Sequence, residues 1–147
     1  MNSTLAAETQ ALSKGLGELA WTVSVYAELT DPKFKLEEWQ AAARKRRMHA
    51  LTKDNPEPVL KKGLCVVDAK SLFDHLVKET VGATEDRRTA IEMQVIRQSL
   101  EETGTAIRWV PHPKMVIDAL TKRNGNRAPL EELLATGLLN LKQQQPT

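Results

Sequence analysis

Two short apolar runs, each followed by a carboxylate, constrain this chain more than any other feature. The first, Leu64-Cys65-Val66-Val67-Asp68, is too short for a helix and reads as a buried strand. The second, Ile107-Arg108-Trp109-Val110, leads into Pro111-His112-Pro113-Lys114-Met115-Val116-Ile117-Asp118-Ala119-Leu120-Thr121-Lys122. Helical periodicity fills the interval, and a strand–helix–strand unit normally makes a right-handed parallel crossover. In open α/β sheets, ligands and metals gather beyond the carboxyl ends of the strands. Asp68 and Asp118 fall at or just past those ends. With a third carboxylate on a packed helix, they can collect a divalent metal for phosphodiester chemistry.

The surrounding pattern is helical. Leu5, Leu12, Leu16, Leu19, Val23 and Tyr26 recur at three and four residues, predicting a helix capped by Ser3 or Thr4 and running to about 29. Ala6, Ala7, Ala11, Gly15 and Gly17 allow a neighbour to approach closely, and Asp31-Pro32 ends the helix. A second helix over 36–52 carries Trp39 and the run Arg44-Lys45-Arg46-Arg47. After an Asn55-Pro56-Glu57-Pro58 loop and the first strand, a helix over 69–79 places Leu72, Phe73 and Leu76 on one face. Thr84 or Asp86 starts a long helix to about 102, with Ile91, Val95, Ile96 and Leu100 as its apolar positions. Gly104 stops it. His112-Pro113 opens a short helix through Lys122, Asn124-Gly125-Asn126 makes a turn, and a last helix spans 128–136. Two strands are few for an independent sheet.

The chain has 147 residues, enough for one domain, and 41% hydrophobic against 27% charged residues is a globular balance. A net charge of +2 is too even to argue for nucleic acid by itself. Cys65 is the single cysteine, which excludes an internal disulfide and fits a reducing, intracellular compartment. No apolar stretch reaches the ~18–20 residues of a membrane span, and Met1-Asn2-Ser3-Thr4 does not begin a secretory signal.

Four pieces of this sequence together resemble the ribonuclease H domain that closes the Pol polyprotein of copia-type retrotransposons. Ser3-Thr4-Leu5-Ala6-Ala7-Glu8-Thr9-Gln10-Ala11-Leu12 is similar to the family's first helix. Val66-Val67-Asp68-Ala69-Lys70-Ser71-Leu72 resembles its strand–aspartate–x–lysine–serine motif, and the segment with Ile96-Arg97 the helix before its last strand. Ile107-Arg108-Trp109-Val110-Pro111 followed by Asp118-Ala119-Leu120-Thr121-Lys122 is the most specific piece.

The resemblance implies an α/β ribonuclease H-like fold lacking its first three strands, with two parallel strands surrounded by helices. It covers 1–122, including a helical and loop insertion at 31–62; a helical extension at 123–141 and a frayed tail at 142–147 follow. It implies two-metal hydrolysis, with Mg²⁺ or Mn²⁺, of RNA in RNA–DNA hybrids. Glu8, Asp68 and Asp118 become metal-holding catalytic carboxylates, and His112 a loop histidine assisting product release. The family's first aspartate has no counterpart here, so the resemblance implies little cleavage by the chain as given. The partners it implies are an RNA–DNA hybrid and an upstream reverse transcriptase segment, and the bare sheet edge would favour self-association.

Each residue also has a plainer reading. Asp68 can cap the helix that follows it, and Glu8 can simply complement a helix dipole. Lys70 is a candidate nucleic-acid contact, and the run Arg44-Lys45-Arg46-Arg47 can grip a phosphate backbone or form a solvated face. Trp109 lies within a strand and belongs to the core rather than to a base-stacking platform. The whole can also be a non-catalytic remnant or a nucleic-acid-binding or interaction module.

Overall fold

The computed structural model describes residues 4–49, 63–77 and 86–141, with backbone alone at 46–49. The chain is α/β and mostly helical. Helix α1 is Thr4–Thr30 and α2 is Leu36–His49; strand β1 is Leu64–Val67 and α3 is Lys70–Val77. Helix α4 is Arg87–Thr103 and strand β2 is Ala106–Trp109. A 3₁₀ turn at His112–Lys114 then precedes α5, Asp118–Thr121, and α6, Ala128–Thr136. The Ser3 cap, the ends of the second and third helices past 49 and 77, the loop expected at 55–58 and the tail expected at 142–147 lie outside the described residues.

Among the described residues the sheet has two strands, and they run parallel. Leu64 pairs with Ala106, Cys65 with Ile107, Val66 with Arg108 and Val67 with Trp109. A parallel pair cannot be closed by a hairpin, so α3 and α4 form the crossover. The ladder runs one step past each end: Ala106 donates to the Gly63 carbonyl, and Val110 to that of Val67 at 2.9 Å. That last bond carries the pairing to the brink of Asp68.

The core is helical on three sides. Leu12 and Leu16 of α1, Leu72 and Leu76 of α3, and Met93 and Ile96 of α4 are buried together, with Cys65, Val67 and Ile107 packed against them from the sheet. Leu72 and Ile96 are each only 1% exposed. Burial of such side chains stabilises the fold by roughly 1.5–3 kcal/mol apiece. Thr9 is fully buried as well, and its hydroxyl avoids a desolvation cost by donating to the Leu5 carbonyl at 2.7 Å. The Arg97 guanidinium donates to the His75 carbonyl and ties α4 to the end of α3.

Local chemistry sets the boundaries of α4. Asp86 accepts from the Arg88 amide at 3.0 Å and the Thr89 hydroxyl at 2.7 Å, filling the N-cap position. At the other end Gly104 takes the left-handed conformation, φ 64°, and closes the helix.

Three expectations shift. The segment from His112 to Lys122 is not one helix: the 3₁₀ turn ends at Met115, whose extended backbone (ψ 109°) separates it from α5. The β-branched pair Val116-Ile117 fits poorly into a continuous helix. Tyr26 lies on the exposed side of α1, because the buried stripe follows Ala6, Thr9, Leu12 and Leu16 instead. On α4, Ile91 and Val95 face outward while Met93 and Ile96 are buried, a rotation of the apolar face set by packing on α1 and α2. No helix among the described residues is long and apolar enough to cross a membrane.

Candidate metal centre

Asp68 follows β1 directly, and the Trp109 indole N–H donates to its main-chain carbonyl at 3.1 Å. This bond crosses between the two strand ends and fixes where Asp68 leaves the sheet. His112 lies just after β2, at the start of the 3₁₀ turn that Pro113 favours. Asp118 opens α5 and is almost buried, its side chain only 10% exposed. Gly125 packs on the Asp118 backbone so closely that a β-carbon there would meet the Asp118 carbonyl oxygen at 2.1 Å. The Asn124-Gly125-Asn126 turn is therefore a support for the aspartate.

The three side chains converge at the carboxyl ends of β1 and β2. His112 is the bridge. Its Nδ1 lies 2.9 Å from Asp68 Oδ2, and its Nε2 lies 3.1 Å from Asp118 Oδ2. One potential ligand atom from each of Asp68, His112 and Asp118 lies within 4.8 Å of the others, so the group can hold a metal ion. A fourth side chain joins them: Lys122 Nζ is 3.1 Å from Asp118 Oδ1 and 3.2 Å from His112 Nε2.

The hydrogen bonds allow two charge states. An ionised carboxylate only accepts, so Nδ1 carries a proton and donates to Asp68. With Nε2 also protonated, the imidazolium donates to both aspartates. With Nε2 bare, it accepts from the Lys122 ammonium. The second form resembles the carboxylate–histidine arrangement that orients metal ligands: Asp68 holds the ring, and Nε2 and the Asp118 carboxylate present lone pairs side by side. The two carboxylates suit hard cations such as Mg²⁺ and Mn²⁺, and the imidazole suits borderline ones such as Zn²⁺.

The other sequence-stated residues fall elsewhere. Glu8 is half-buried in the second turn of α1 and is not a member of the group. Lys70 is exposed at the start of α3, paired with Asp74 at 3.3 Å, with its ammonium 5.5 Å from the Trp109 ring centroid. Trp109 is half-buried and used from both sides, as a donor and as a face for a cation. Arg44 and Lys45 are exposed on α2, and the Arg46 and Arg47 side chains lie outside the described residues. Cys65 is a free, half-buried thiol whose burial pushes its pKa up, in keeping with an inert packing role.

Sequence reasoning gave His112 a part in the loop but not the central position between the carboxylates. It gave Lys122 no part at all. The signal for Lys122 was present, since a lysine four residues after an aspartate on a helix reaches back to it. The chain matches no family model, no curated protein and no solved structure.

Proposed function

We propose that this chain carries a ribonuclease H-type divalent-metal centre acting on RNA in RNA–DNA hybrids, with Mg²⁺ or Mn²⁺ as the ion. The convergence of Asp68, His112 and Asp118 within 4.8 Å, at the carboxyl ends of two parallel strands, carries this reading. The copia-type wording around both aspartates supplies the substrate class. Asp118 and His112 Nε2 hold the ion, and Asp68 either joins them or fixes the histidine tautomer. A bound divalent ion supplies Lewis-acid stabilisation of charge on phosphate oxygens. The Lys70 ammonium, exposed beside Trp109, offers a phosphate contact next to the same strand ends. Recognition of the hybrid then rests on backbone and 2′-hydroxyls rather than sequence. Because the resemblance calls for four carboxylates, these ligands alone give slow cleavage.

Mn²⁺ titration by water-proton relaxation tests the centre, and labelled hybrids test the substrate. Saturable binding that Asp118→Asn removes, with metal-dependent retention and slow cutting of the RNA strand only, is the expected result. Binding unaffected by Asp118→Asn overturns the assignment.

One observation favours a second reading, a non-catalytic module. In the imidazolium form, His112 and Lys122 together match the two carboxylates in charge, so the network can serve simply to tie the strand ends to α5. In that case Asp118→Asn lowers the melting temperature and the wild type takes up no Mn²⁺.

A further inference from the structure

The Lys122 ammonium touches two acceptors at once, Asp118 Oδ1 at 3.1 Å and His112 Nε2 at 3.2 Å. Those are the two groups that present lone pairs side by side for a cation. Lys122 is also 51% exposed along its side chain, and it forms the C-cap of the four-residue helix α5. Its long stem can swing into solvent without disturbing the core, while Asp118 stays fixed at 10% exposure. We propose that Lys122 is a tethered competitor for the divalent ion, holding the ligands of the free protein in place and leaving when the ion arrives. This inference rests on the metal centre proposed above.

The electrostatics follow directly. An ion reaching both Asp118 and His112 Nε2 must share their immediate surroundings with a like charge unless the ammonium withdraws. A divalent ion and an ammonium a few ångströms apart repel strongly where water is partly excluded. Withdrawal into water removes that repulsion but forfeits the ion pair with a nearly buried aspartate. The ion therefore binds more weakly than its donors alone would allow, and it releases a free ammonium beside the site. By reciprocity, whatever draws Lys122 outward, such as a phosphate oxygen, tightens the ion by the same factor.

Mn²⁺ alone is the probe, with affinity read by water-proton relaxation on the whole chain. Lys122→Met, which keeps the stem and removes the charge, is expected to bind Mn²⁺ about tenfold more tightly than wild type, within the usual range of coupling between sites. Lys122→Arg keeps the charge and should stay near the wild-type value. A second readout needs no variant: acylation of the Lys122 amine, followed by mass spectrometry, should accelerate when Mg²⁺ is added. Equal or weaker Mn²⁺ binding by Lys122→Met, with Asp118→Asn still abolishing it, overturns the role of Lys122 and leaves the metal centre standing. Indifference of wild-type binding to Asp118→Asn removes the centre and this inference with it.

Discussion

Gly125 sits against the main chain of Asp118, with room for a hydrogen and not for a methyl group. The nearest contacts of an added β-carbon, 2.1 Å to the Asp118 carbonyl oxygen and 2.9 Å to the Ala119 nitrogen, are all to backbone, so no flexible side chain can give way. Gly125→Ala should therefore destabilise the protein by roughly 1–3 kcal/mol, the usual cost of overpacking. It should also displace Asp118 from His112. Denaturant melts measure the first effect. The shift of the His112 imidazole resonances measures the second.

Trp109 positions Asp68 through a single bond from its indole N–H to the Asp68 carbonyl. Trp109→Phe keeps most of the apolar area and leaves that carbonyl without its donor. A loss of about 1 kcal/mol is expected, together with weaker contact between Asp68 and His112. An unchanged melt would mean that the register of the two strands holds Asp68 unaided.

The Thr89 hydroxyl and the Arg88 amide hold the Asp86 carboxyl below its ordinary range. A carboxyl lowered in the folded state contributes stability above its unfolded pKa and loses it as pH falls through the folded value. The contribution of this cap should therefore fade between about pH 5 and about pH 2. Asp86→Asn keeps the cap geometry without the charge. Its melting temperature should lie below wild type at neutral pH and converge with it in acid.

Leu72 and Ile96 meet at the centre of the helical core, each 1% exposed. Either change to alanine should cost roughly 2–5 kcal/mol. Ile91→Ala, on the same helix but 65% exposed, should lie within about 0.5 kcal/mol of wild type. Urea melts of the three variants check the direction in which α4 faces.

Much of this architecture is legible in the residues themselves. Gly104, Asp86 and Pro32 are local signals, and they act within one or two turns of where they stand. The placement of Asp68 and Asp118 past two strand ends follows from short apolar runs interrupted by helical spacing. What escapes is whatever depends on tertiary rotation. Ile91 and Val95 have the spacing of a core face, yet α4 buries Ile96 together with Met93 instead, a choice set by α1 and α2 rather than by its own sequence. His112 as a bridge between carboxylates escapes for the same reason, because its partners come from opposite ends of the crossover.

The pairing of Leu64 with Ala106 joins residues separated by the whole of α3 and α4. Closing so long a loop costs entropy before any ladder bond offsets it, so the helices should form before the strands meet. Asp68 and His112 lie on opposite sides of that closure, and their contact can exist only once it is complete. Interactions absent from the folding transition state govern the unfolding rate alone. A cation bound at this end of the sheet should therefore lengthen the lifetime of the native protein while leaving its folding rate untouched, and stopped-flow refolding and unfolding in Mn²⁺ would show the two arms of the chevron responding unequally.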